Sequence, residues 1–265
     1  MRPALRRAAL AALAAALLGP LHGARAAPEE ITVFTDEFEA PGEVSHQLHL
    51  NYVNRSRRVP EYPGEQAPNR VLRAMPETAI GIAPDWNLGI HVPFSFDRNT
   101  HRAHVDGLKL RLTNLQVRQL DDELSGFYGA NYELSWLAHR LSESRLVAEL
   151  RGIVGLRNRD WLLAVNPILN RPASRGGTLD EPMSLDLFGK LMRTWGSELA
   201  LGVEHFAQLG PVRRPGFAEG SAQVTYAVAE WATASGFTFH TGIGRGWRGG
   251  DDKIVFKALI GLPFD

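Results

Sequence analysis

From about residue 43 to the C-terminus, apolar and aromatic side chains fall on one parity and polar, charged or small ones on the other. A period of two belongs to an extended strand whose two faces meet different surroundings. The contrast is complete between Phe127 and His139: Tyr128, Ala130, Tyr132, Leu134, Trp136 and Ala138 share one face, and Asn131, Glu133, Ser135 and His139 share the other. Leu146, Ala148, Leu150, Val154 and Leu156 alternate with Arg145, Glu149, Arg151 and Arg157. Near the end of the chain Ile254, Phe256, Ala258, Ile260, Leu262 and Phe264 alternate with Lys253, Lys257 and Gly261. Trp86, Leu88, Ile90 and Val92 likewise oppose Asn87 and His91, and Ala222, Val224, Tyr226 and Val228 oppose Gln223 and Thr225.

Clusters of Gly, Pro, Asp and Asn divide this region into twelve predicted strands, near residues 43–53, 70–82, 86–96, 105–117, 127–139, 144–157, 161–170, 183–194, 197–208, 219–229, 236–247 and 252–264. Most have the length of a tilted bilayer crossing, about 9 to 11 residues. An even number returns both termini to one side. With the N-terminus in the periplasm, the connections 83–85 and 158–160 become short periplasmic turns, while 54–69, 171–182 and 209–219 become long external loops rich in Pro, Arg and Gly. That asymmetry is the usual one for such barrels. Connection 118–126 is long for a turn and 140–143 short for a loop. The expected fold is all-β, a transmembrane antiparallel up-and-down β-barrel of about 12 strands over residues 43–265. A soluble periplasmic sandwich or lipocalin-like barrel, with the tryptophans in a core, shares the same alternation.

Tryptophan placement favours the membrane. Trp86, Trp161, Trp195 and Trp231, four of the six in the chain, each flank a predicted periplasmic turn and so fall at one level. Amphipathic rings settle at the headgroup interface.

Ahead of the strands, Arg2, Arg6 and Arg7 precede an Ala/Leu run from Ala8 to Leu18, followed by Gly19-Pro20 and Ala24-Arg25-Ala26. The run is too short for a transmembrane helix, which needs about 20 residues. Residues 1–26 read as a secretory signal peptide cleaved before Ala27, and 27–42 as a periplasmic N-terminal segment. The full chain has 29 basic and 29 acidic residues; cleavage removes four Arg and leaves 25 against 29. No basic surplus argues for nucleic acid. With Cys at 0, there is no disulfide, no thiolate nucleophile and no Cys-ligated metal.

Three stretches carry a family likeness: residues 82–96 (IAPDWNLGIHVPFSF), 127–134 (FYGANYEL) leading through 149–155 (ELRGIVG) into 165–170 (VNPILN), and 261–264 (GLPF). They resemble a group of proteobacterial outer-membrane barrels similar to the MetA-pathway phenol-degradation proteins. The resemblance implies an outer-membrane location in a Gram-negative cell and a transport role. The chain ends Phe264-Asp265, where a barrel-assembly signal usually ends on the aromatic itself. The implied partners are outer-membrane lipid, the barrel-assembly machinery and a small solute. Arg55, Arg57 and Arg58 in the first long loop either meet lipopolysaccharide or solvate themselves.

If the apolar parity faces lipid, the interior is lined by His49, Arg73, Glu77, His91, Lys109, Arg111, Asn131, Glu133, Ser135, His139, Glu149, Arg151, Asn166, Asp186, Lys190, Glu204, His240 and Lys257. Both signs are present, so these groups form either a paired network filling the barrel or a wet conduit without strong ion preference. Ser135, His139 and Asn131 or Glu133 lie on one strand, but Ser and His four residues apart sit about 13 Å from one another, and lipid-cleaving groups must face the bilayer. No catalytic residue is assigned. No HExxH occurs, and His101 with His104 falls in a predicted loop, so no metal or cofactor is expected. Gly242, Gly244 and Gly246 read as strand glycines that relieve crowding.

Overall fold

The computed structural model describes residues 30–173, 183–196, 199–213, 222–247 and 252–263. The expected signal peptide, the cleavage site at Ala27 and the terminal Phe264-Asp265 lie outside these residues.

The alternating segments form strands β1 (Val44–Arg55), β2 (Val71–Ala83), β3 (Trp86–His91), β4 (Phe94–Asp97), β5 (Arg102–Val105), β6 (Gly107–Gln119), β7 (Ser125–Leu137), β8 (Leu146–Arg157), β9 (Trp161–Pro172), β10 (Ser184–Trp195), β11 (Leu199–Pro211), β12 (Gln223–Ala232), β13 (Thr238–Trp247) and β14 (Ile254–Leu262). Every pairing among them is antiparallel. β3 and β4 are two halves of one crossing, since both pair with β2. The break falls at Val92-Pro93, where proline has no N–H for the ladder. β5 and β6 make the next crossing, interrupted at Asp106. β1 pairs with β14 on one side and β2 on the other, so the sheet closes into a barrel of 12 crossings.

One end of the barrel carries the short turns, at 84–85, 120–124 and 158–160. The connection expected to run from 118 to 126 tightens because β6 continues to Gln119 and β7 begins at Ser125; Leu120 N–H donates to the Leu124 carbonyl at 2.9 Å. At the other end, loop 56–70 folds over the mouth onto the β7–β8 connection. Gln66 N–H donates to the Arg140 carbonyl at 2.9 Å, and the Tyr62 and His139 rings lie 5.3 Å apart.

The outer surface is apolar through its middle. Tyr132, Leu134, Leu150, Val154, Leu201, Val203, Ile243 and Phe256 are all exposed, an arrangement that costs free energy in water and none in hydrocarbon. Trp86, Trp161, Trp195 and Trp231 are exposed at the short-turn rim, and Trp136 and Trp247 at the opposite rim.

Two features of the interior stand apart from the sequence reading. On β12 the parity is reversed: Val224, Tyr226 and Val228 point inward and are buried, Tyr226 at 1% exposure. They join Phe188, Met192, Phe206 and Val255 in an apolar sector of the interior. β13 makes room for them, since a Cβ on Gly244 would lie 2.3 Å from the Tyr226 ring. The second concerns residues 30–42. This stretch, part of the segment 27–42 read from sequence as a periplasmic N-terminal segment, enters the barrel from the short-turn end. Ile31 and Val33 are buried against the apolar sector, which removes hydrophobic surface worth roughly 1.5–3 kcal/mol per side chain. Where the segment turns into β1, it hydrogen-bonds to β2 through Gly42 N–H to Gly81 O at 2.7 Å. Gly81 has no side chain there because its Cβ would sit 2.0 Å from the Ala40 carbonyl oxygen.

Candidate functional site: the barrel interior

Inward positions of adjacent strands are brought level by the antiparallel register, so charges far apart in sequence meet across the ladder. Arg111 is opposite Glu133, and Glu77 is opposite His91. Arg111 is 2% exposed and is the hub of the first cluster. Its Nε and Nη2 donate to Glu133 Oε2 at 3.1 and 2.6 Å, Nη2 also donates to Glu30 Oε2 at 2.5 Å, and Nη1 lies 3.5 Å from Glu77 Oε1. Lys109 Nζ is 3.1 Å from Glu133 Oε1, which also accepts from Ser135 Oγ at 2.8 Å. His49 Nε2 is 2.7 Å from Glu77 Oε2, with His91 Nδ1 at 3.5 Å from the same oxygen. Arg151 Nε donates to Glu149 Oε1 at 2.9 Å.

A second cluster centres on Glu204, which is fully buried. Lys257 Nζ bonds Glu204 Oε2, while Lys190 Nζ at 3.6 Å and His240 Nε2 at 3.2 Å face Glu204 Oε1. Lys190 and His240 also bond Glu230. Toward the long-loop end Asn170 donates to Asp186 Oδ2 at 2.9 Å, with Arg73 buried in the same cavity wall. Asn131 is fully buried.

The N-terminal segment is bonded to both clusters. Phe34 lies between two guanidinium groups, Arg111 and Arg151, each 4.7 Å from the ring centre. Its backbone N–H donates to Asn166 Oδ1 at 2.7 Å, and Asn166 Nδ2 donates back to its carbonyl at 3.1 Å. Arg151 reaches the Thr32 carbonyl at 3.3 Å, and Lys257 Nζ the Ile31 carbonyl at 3.1 Å. Nearer the short-turn end Asp36 accepts two bonds from Arg157, both 2.6 Å. These contacts give the backbone groups of the segment partners inside the barrel.

The segment divides the interior. Toward the long loops lies a cavity of about 520 Å³ bordered by Glu30, Tyr62, Arg73, Lys109, Glu149, Arg151 and Asp186. Toward the short turns lies one of about 320 Å³ bordered by Phe34, Glu37, His49, Glu77, Arg111, Lys190 and Glu230.

Of the residues singled out from sequence, His139 is placed differently. β7 stops at Leu137, and His139 is a loop residue whose Nε2 lies 3.0 Å from the Pro63 carbonyl oxygen. Ser135 is buried against Glu133, so Ser135 and His139 form no nucleophile–base pair. Glu30, Asp36 and Glu230 were not singled out from sequence. Glu230 shares the parity of Tyr226 and Val228, and a charge on that parity was the sign that it faces inward.

No protein-family model and no curated protein matches the chain. Among solved structures it is similar to the COG4313 outer membrane channel from Pseudomonas putida F1, with a TM-score of 0.55 and 11% identity over 89% of this chain and 100% of that one. It is also similar to KdgM porin, with a TM-score of 0.50 and 10% identity over 83% of this chain and 99% of that one. At such identities the shared property is the barrel fold.

Proposed function

We propose that the protein resides in the outer membrane of a Gram-negative cell and passes or binds small solutes, with its N-terminal segment as a removable obstruction. The single observation that carries this reading is the pair of cavities, each bordered by charged side chains of both signs, separated by residues 30–38 inside a barrel with an apolar exterior. A barrel serving structure alone has no need of two chambers bordered by charge. The similar structures, an outer membrane channel and a porin, support the reading. The exposed tryptophans at both rims fit the headgroup level of a bilayer. Lipopolysaccharide and the barrel-assembly machinery follow as partners of any protein in that membrane.

Fixed charges of both signs line each chamber, so the conduit discriminates by size and polarity more than by ionic sign. The test is conductance across a planar bilayer for the intact protein and for a variant lacking residues 30–38. Rare or small steps are expected from the intact protein, and larger, persistent steps from the variant. Flat traces from both, with the barrel folded, would refute passage.

A further inference from the structure

His49, Glu77 and His91 come from three neighbouring strands, β1, β2 and β3, and all point into the barrel. Their ligand atoms lie within 4.8 Å of one another. We infer that these three side chains form a binding site for a divalent transition-metal ion of the zinc type, opening onto the cavity at the short-turn end.

The donor set fits that chemistry. Two imidazoles and one carboxylate are the borderline ligands that zinc and its neighbours in the first row prefer over calcium or magnesium, which take oxygen. Donor atoms about 2.0–2.1 Å from a tetrahedral ion stand about 3.3 Å apart. The His91 Nδ1 to Glu77 Oε2 separation of 3.5 Å is already near that spacing, the His49 Nε2 to Glu77 Oε2 contact of 2.7 Å must open by about 0.6 Å to admit an ion, and all three donors lie within 4.8 Å of one another.

Independently, His91 has no exposed surface, and neither of its ring nitrogens has a hydrogen-bond partner. A buried imidazole without such a partner is a rare arrangement, and a metal ion supplies what the protein does not. Glu77 is already oriented for the role: Oε1 faces Arg111 Nη1 at 3.5 Å, leaving Oε2 to the two histidines. This is how an outer contact commonly fixes a ligating carboxylate. The positive charge of Arg111 is met by Glu30 and Glu133, so it does not stand uncompensated beside the ion. Gly89 keeps the approach open, because a Cβ there would lie 2.9 Å from His91 Nε2 and 3.6 Å from Glu77 Oε1. His49, Glu77 and Gly89 border the 320 Å³ cavity, which provides the entry path and room for water at the remaining coordination positions.

The test uses the full folded chain in detergent, stripped with a chelator and titrated with Co²⁺ alone, then with Zn²⁺. The expected result is one Co²⁺ per chain, with visible d–d absorption of a low-coordinate nitrogen/oxygen site that Zn²⁺ abolishes. His91→Gln and His49→Gln should each weaken binding by more than about tenfold, whereas His101→Gln, a change at an exposed loop histidine, should leave it unchanged. The heat-dependent gel shift of an intact barrel verifies that each variant is folded. Absence of saturable Co²⁺ binding by the folded protein, or binding that survives both His91→Gln and His49→Gln, would overturn the assignment.

Discussion

Replacing Arg111 by Met removes a side chain that joins the N-terminal segment to both Glu77 and Glu133, on two walls of the barrel. In the intact protein its guanidinium meets Glu30, Glu133 and Glu77 and lies over Phe34, with 2% of its surface exposed. Methionine fills similar volume but leaves those carboxylates short of a cation. Lys109 stays 3.1 Å from Glu133 and 4.0 Å from Glu30, and His49 stays with Glu77, so the loss is partial. Removing one partner of a buried pair costs about 3–5 kcal/mol, and the surviving contacts put the expected value near the lower end. Losing about 3 kcal/mol is a change of more than a hundredfold in the folded-to-unfolded ratio. Urea unfolding in lipid vesicles, read by the gel shift, measures it. Arg111→Met/Glu133→Gln should recover at least half of the loss, since it removes one of the stranded charges. A single variant that unfolds within about 1 kcal/mol of the parent would show that the cluster is already hydrated and that Arg111 is not its hub.

Gly244→Ala places a methyl group 2.3 Å from the Tyr226 ring and should destabilise the barrel by about 1–3 kcal/mol through overpacking; adding Tyr226→Leu should restore most of that in the same urea assay. The external loop should respond to acid. Burial, the largest single influence, raises the Glu65 carboxyl, but the hydrogen bonds from Arg57 and the Glu61 N–H together with the charges of Arg57 and Arg73 outweigh it and hold the group below its ordinary value. Its contribution to loop order is therefore complete above the ordinary carboxylate range and lost as pH falls through the lowered one. Protease cleavage within loop 56–70 should be slow at neutral pH and accelerate only in strong acid, and Arg57→Ala should move that acceleration toward neutrality; cleavage equally fast at all pH values would refute the tether.

The strands were legible because lipid outside and water inside impose opposite demands on alternate side chains, and Tyr132 and Leu134 against Asn131 and Glu133 state that contrast without ambiguity. The signal failed where the interior is itself apolar. Tyr226 and Val228 look lipid-facing by parity, and only the glycines of β13, together with Glu230, show the face turned inward. The segment at 30–38 was illegible for a related reason: Ile31, Val33 and Phe34 are as consistent with a free arm as with a strip buried in the barrel, and their neighbours' partners Asn166, Arg157 and Lys257 lie more than a hundred residues away. Individual interior charges could be read from parity, but their partners could not, since register alone decides that Arg111 meets Glu133. The same holds for His49, Glu77 and His91, which no short-range spacing connects.

The position of residues 30–38 inside the barrel is the claim on which the obstruction depends, and the absence of native cysteine makes it directly measurable. Asp36→Cys/Arg157→Cys places thiols on the two partners of the 2.6 Å ion pair, to be bridged in intact outer membranes by a short bis-thiol reagent. An efficient intramolecular cross-link is expected, with the thiol at position 36 shielded from a bulky membrane-impermeant maleimide. No cross-link, with that thiol freely modified by the bulky reagent, would contradict the buried placement of the segment.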